Sequence, residues 1–105
     1  MGIRLWVGVG VGVIVLASGT ASAVTPQQLA NSKSCMACHG MTQKIVGPGF
    51  KQVADRYRGD KGAAAKLATK IRKGGSGAWG PVAMPPAAVT DAEAQQLATW
   101  ILSQK

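Results

Sequence analysis

Two cysteines three positions apart, with the only histidine of the chain directly after the second, put two thiols and an imidazole into five residues, Cys35-Met36-Ala37-Cys38-His39. Two thiols at this spacing can add to the two vinyl groups of one porphyrin, and the adjacent imidazole is then held beneath the iron. C-x-x-C-H is for that reason the attachment signature of c-type haem. A chain that carries it has to fold around a large flat disc. A thioredoxin-like dithiol also uses C-x-x-C, but in a βαβ setting, and no convincing strand pattern occurs here. A structural zinc site takes four ligands, whereas Cys35, Cys38 and His39 supply three with no further Cys or His in the chain. A disulfide between Cys35 and Cys38 would close a tiny loop and add little stability.

The segment ahead of this motif reads as an export leader. Arg4 and the amino terminus give a small positive region, the apolar run covers 5–17, and Ala21-Ser22-Ala23 is a small-x-small cleavage signal. A permanent membrane anchor is the rival, but the run falls short of the roughly 20 apolar residues that span a bilayer, and Gly8, Gly10 and Gly12 dilute it. Residues 1–23 are therefore expected to be cleaved, leaving 24–105 as one domain. Taking 23 from 105 residues leaves 82, a size that buries only roughly 60% of its unfolded surface, so a cofactor is expected to complete the core. Loss of Arg4 takes one charge from the formal net charge of +8 and leaves +7 on the mature chain. That balance implies an acidic partner or surface, with a merely solvated lysine face as the alternative. Nucleic acid is excluded by export and by the lack of a basic stretch interleaved with aromatics.

Four helices are predicted along 24–105. Thr25-Pro26-Gln27-Gln28 combines a capping residue, proline at the first helical position and Gln three residues after the cap, with Val24 and Leu29 placed for a hydrophobic staple. This first helix runs toward Cys35. Phe50, Val53, Ala54 and Tyr57 share one helical face, and Gly59 stops that helix. Ala64, Leu67, Ala68 and Ile71 repeat the spacing, with Lys70, Arg72 and Lys73 favouring the negative end of the dipole ahead of Gly74-Gly75. The last begins at the capping box Thr90-Asp91-Ala92-Glu93 and aligns Ala94, Leu97, Ala98 and Ile101, with Trp100 beside them.

Between the third and fourth helices, 74–89 is rich in Gly and Pro and lacks periodicity. A connection of this length in a compact domain is usually functional or disordered. Trp79, Val82 and Met84 argue against disorder, since such residues gain by burial, and the segment is expected to wrap over something apolar. It also holds the candidate second axial ligand. His39 cannot be paired with another histidine, and Met36 and Met41 lie too near the attachment string to reach the opposite face of a ring. Met84, 45 residues beyond His39, can reach it. A core gap-filler, the commonest fate of methionine, is the alternative role for Met84.

Cys35-Met36-Ala37-Cys38-His39, Val46-Gly47-Pro48, Trp79-Gly80-Pro81-Val82-Ala83-Met84-Pro85-Pro86 and Asp91-Ala92-Glu93-Ala94 leading to Trp100 together resemble the short bacterial class I monohaem cytochromes c. The likeness is strongest to those that donate electrons to haem-containing nitrite reductase. It covers essentially all of 24–105. The resemblance implies an all-α class I cytochrome c fold of about four helices around one covalent haem c and its iron. It implies that His39 and Met84 ligate the metal, that the Pro48 carbonyl accepts the Nδ1 hydrogen of His39, and that Trp79 hydrogen-bonds a haem propionate. Where the family often has arginine near a propionate this chain has Lys70, which lacks the planar fork and should make a looser contact.

The implied role is one-electron transfer in the periplasm, as part of a respiratory chain such as denitrification. The expected partners are a quinol-oxidising complex on one side and nitrite reductase or cytochrome oxidase on the other. The mature protein is expected to be a monomer, without stable membrane insertion and without enzymatic activity. A haem enzyme or gas-binding sensor is the rival if Met84 is unbound, and an electron-entry subunit of a larger complex is a third reading.

Overall fold

The computed structural model describes residues 2–3, 8–14 and 24–105, and most of the expected leader lies outside them. Four helices follow in order, α1 Pro26–Ser32, α2 Phe50–Arg56, α3 Ala63–Lys73 and α4 Asp91–Leu102, with a 3-10 turn at Cys35–Ala37. Among the described residues there is no strand, only two isolated backbone bridges, His39 with Lys44 and Gly75 with Met84. None of these helices is long and apolar enough to cross a membrane.

The helices start where side chains relieve the orphan amides of the first turn. Thr25 accepts from the Gln28 amide while the Gln28 side chain accepts from the Thr25 amide, closing the box that opens α1. Thr90 and Glu93 do the same for α4. At α2 only half of that device exists. Gln52 accepts from the Gly49 amide at 2.9 Å, and Gly49 has no side chain to reciprocate. The end of α3 carries Lys70, Arg72 and Lys73 against the carbonyl end of the dipole and stops at Gly74, whose φ of 69° suits glycine. Val24 does not serve as the expected buried staple. It is exposed, and its carbonyl takes a bond from Gln96 of α4 instead, so the chain entry is held by a polar tie.

The last helix is the hub, packing against each of the other three. Ala30 of α1 and Ala94 and Ala98 of α4 are fully buried, so the α1–α4 packing is made over small side chains. Leu97 and Ile101 carry the bulkier half of the α4 stripe, each contributing about 1.5–3 kcal/mol by leaving water. Arg72 bridges to Asp91 at 2.9 Å and ties the end of α3 to the start of α4. Because the Asp91 side chain is largely exposed, that pair adds at most about 1 kcal/mol.

The α4 box makes stability sensitive to acid in a known direction. The Thr90 amide beside Glu93, helped by the charge of Lys33, holds the Glu93 carboxyl below its ordinary value of 4.5. A carboxyl depressed on folding stabilises the protein above its unfolded value, and that contribution is lost as pH falls through the folded one. Glutamine at this position keeps the box, as Gln28 does in α1, but removes the charge. Thermal melts of wild type and Glu93→Gln should therefore differ at neutral pH, wild type melting higher, with the gap closing as pH falls below 4.5.

Candidate functional site

The segment 38–51 folds back on itself and fixes the histidine. The Cys38 carbonyl accepts from both Val46 and Gly47, at 3.0 and 2.8 Å, and the Gly40 and Met41 carbonyls accept from Phe50 and Lys51 at 2.9 Å. This hairpin-like return brings the Pro48 carbonyl to 2.7 Å from Nδ1 of His39. A carbonyl can only accept, so Nδ1 carries the hydrogen, and in the neutral ring it is Nε2 that keeps the lone pair. Phe50 stacks on the imidazole with centroids 5.1 Å apart and 19° between planes. Trp100 in turn meets Phe50 edge-on at 5.4 Å. Gly47 makes room for this arrangement, since a Cβ there would lie 2.5 Å from Cε1 of His39.

Opposite this hairpin the 74–89 loop closes on itself. Gly75 and Met84 exchange backbone hydrogen bonds at 3.0 and 2.9 Å, and the far end is tied by Ala87 to the Ile71 carbonyl of α3 at 2.9 Å. Gly74 has to be glycine, because a Cβ would run into the Met84 carbonyl oxygen. The bridge holds Met84 half-buried against the core.

Between hairpin and loop lies a largely apolar cavity of about 540 Å³ whose lining includes all six residues nominated by the sequence, Cys35, Cys38, His39, Pro48, Trp79 and Met84. Its floor is made by core residues, among them Val53, Ile71, Leu97 and Ile101. Three lysines, Lys44, Lys66 and Lys70, also reach its lining. Both cysteines are half-buried and not bonded to each other, and burial pushes an unmodified Cys35 thiol above its ordinary value.

Trp79 and Val82 both belong to the cavity lining, as expected for a loop wrapped over something apolar, and they are the loop's exposed large apolar side chains, 41% and 65%. The loop tip forms the rim of the cavity rather than its floor, and the Trp79 ring is covered from outside by the Arg56 guanidinium, whose Cζ sits 4.3 Å from the ring centroid. Neither Arg56 nor the stacking role of Phe50 was signalled by the sequence. Arg56 is 23 residues from Trp79 in a chain rich in surface cations, and Phe50 reads only as a core position of α2.

The match to a cytochrome c family model over residues 23–105 decides the matter. The chain belongs to the cytochrome c family. It is 50% identical over 96 residues to cytochrome c-551 of Pseudomonas aeruginosa, covering 87% of this chain and 92% of that one. With cytochrome c-552 of Hydrogenobacter thermophilus it shares 61% over 79 residues, 75% of this chain and 81% of the relative. The crystal structure of wild-type Nitrosomonas europaea cytochrome c552 superposes with a TM-score of 0.72 at 46% identity, over 75% of this chain and 99% of that one. The fold is accordingly that of the small class I monohaem cytochromes, and the protein is an electron carrier with one covalent haem c rather than an enzyme. The cavity chemistry fits that group: two thiols, an imidazole with a free Nε2, a thioether, apolar walls and lysines for its carboxylates.

The Gly47 contact yields a test of the hairpin. Gly47→Ala should push the imidazole away from the Pro48 carbonyl and destabilise the protein by about 1–3 kcal/mol, as overpacking does in cores. Denaturant titration of the haem-bearing protein checks this, and an unchanged midpoint would show that the ring has room to move.

Proposed function

We propose that the chain, freed of residues 1–23, is a periplasmic one-electron carrier between a quinol-oxidising complex and a terminal acceptor, haem nitrite reductase or cytochrome oxidase. The observation that carries the reading is that His39 and Met84, 45 residues apart, both line one apolar cavity. Haem c supplies reversible one-electron chemistry when bound. In this reading Cys35 and Cys38 would anchor it by thioether bonds, and His39 Nε2 and the Met84 sulfur would hold its iron. Pro48 fixes the imidazole tautomer and orientation through Nδ1. Thioether ligation favours the reduced state and raises the potential. Held by both His39 and Met84, the iron would have no open position for peroxide, oxygen or nitrite.

Trp79, at the rim, is assigned to one haem propionate, and Lys70, in the same lining, offers a positive charge without the arginine fork. The positive charge of the mature chain speeds encounter with an acidic partner. Steering does not place the haem edge. Ile45, Val46 and Val82 are exposed large apolar side chains, with Pro81, Ala83 and Pro85 exposed beside Val82, and they are assigned to contact with the partner at short range.

The ligand reading is tested by voltammetry and carbon monoxide binding. Met84→Ala should lower the reduction potential and open the iron to carbon monoxide, while Met41→Ala should do neither; an unchanged potential in Met84→Ala sinks the assignment. The contact reading is tested by electron-transfer rates to a purified acceptor against ionic strength. Val82→Lys should slow transfer even at 1 M salt, where charge is screened over about 3 Å, and Lys70→Gln should act chiefly at low salt.

A further inference from the structure

Among the described residues, one side chain ties the tip of the cavity-closing loop to another element by a hydrogen bond. Within 76–83 the backbone bonds are internal, Gly77 to the Gly80 carbonyl at 2.8 Å, and the Gly75–Met84 bridge closes the neck without tethering the tip. The hydrogen bond that crosses from this tip to another element comes from Arg56, whose Nη1 donates to the Ala78 carbonyl at 2.6 Å. The same guanidinium lies over the Trp79 ring, 4.3 Å from Cζ to the centroid. Arg56 stands in the last turn of α2, where the carbonyl end of the dipole favours a cation, and Tyr57 already caps the helix. A planar guanidinium can stack on an indole and donate at its edge in one pose, which an ammonium cannot do.

We propose that Arg56 is the latch of the loop 74–89, a positioning residue that pins Ala78 and Trp79 to the end of α2 and so keeps Met84 seated. Its consequence for the iron rests on the reading of Met84 as axial ligand. Releasing the latch frees the tip while leaving the helical core intact, because the neck bonds and the Ala87 tie to α3 do not involve Arg56. The loop then opens more often, and Met84 leaves the iron more often.

The test uses the ferric haem-bearing protein with Arg56→Gln, Arg56→Lys and Met84→Ala, read by amide hydrogen exchange and by the rate at which added imidazole binds the iron. In Arg56→Gln the amides within 77–83 should exchange at least about tenfold faster, the least that one exposed cation–π contact and one charge-assisted hydrogen bond together supply. Amides of Leu97 and Ile101 in α4 should keep their rates, and imidazole should bind faster by a similar factor. Arg56→Lys should recover part of both effects. Unchanged loop exchange in Arg56→Gln overturns the latch, and so does acceleration of loop and core amides together, which marks a merely structural role. If wild type already binds imidazole as fast as Met84→Ala, the ligand reading falls instead. Loop exchange then decides the latch alone: faster exchange confined to 77–83 upholds it, and unchanged exchange removes it.

Discussion

The hydrophobic interior of this fold is shared between helix packing and the haem cavity. Phe50, Val53, Ile71, Leu97 and Ile101 belong to the buried cluster and also line the cavity, so the same side chains hold the helices together and face the prosthetic group. The contacts made away from the cavity rely heavily on alanine, at Ala30, Ala94 and Ala98, which pack closely but remove little apolar area each. Folding and haem attachment are therefore coupled through one set of residues. A small domain of this kind is marginal without such a group, and the group that completes its core is also the one that gives it a function.

The helical frame was legible because its signals are local. Thr25 with Gln28 and Thr90 with Glu93 form capping boxes within four residues of chain, and the apolar stripe of α4 recurs at helical spacing, so no distant contact is needed to read them. The attachment string was equally plain, since its meaning lies in five consecutive residues. Trp79, Val82 and Met84 marked the loop as wrapped over something apolar, and all three line the cavity; residue type does not say whether a side chain sits on the floor of a cavity or at its rim. The Arg56 contact to Trp79 joins two elements through a surface cation, and the sequence holds several basic residues with equal claim to it.

The two walls of the cavity are built by different means, and this bears on which side can give way. On the histidine wall, 38–51 is cross-tied by six backbone bonds as well as the bond from His39 to Pro48, and it continues directly into the buried Phe50 of α2. Any rotation of the imidazole must break its bond to Pro48 and press on Gly47 or Phe50. On the methionine wall the chain is glycine-rich, with positive φ at Gly74, Gly75, Gly77 and Gly80, and its tip makes few ties to the helices. Glycine permits those angles without strain and also widens the range of open states the loop can reach. Opening by local fluctuation is thus favoured on the Met84 side, as expected for a segment with few buried contacts and many exposed backbone groups. If His39 and Met84 hold the iron as proposed, this asymmetry has a use for an electron carrier: the anchored wall would fix the iron relative to the helices, while the looped wall would set how often Met84 gives way.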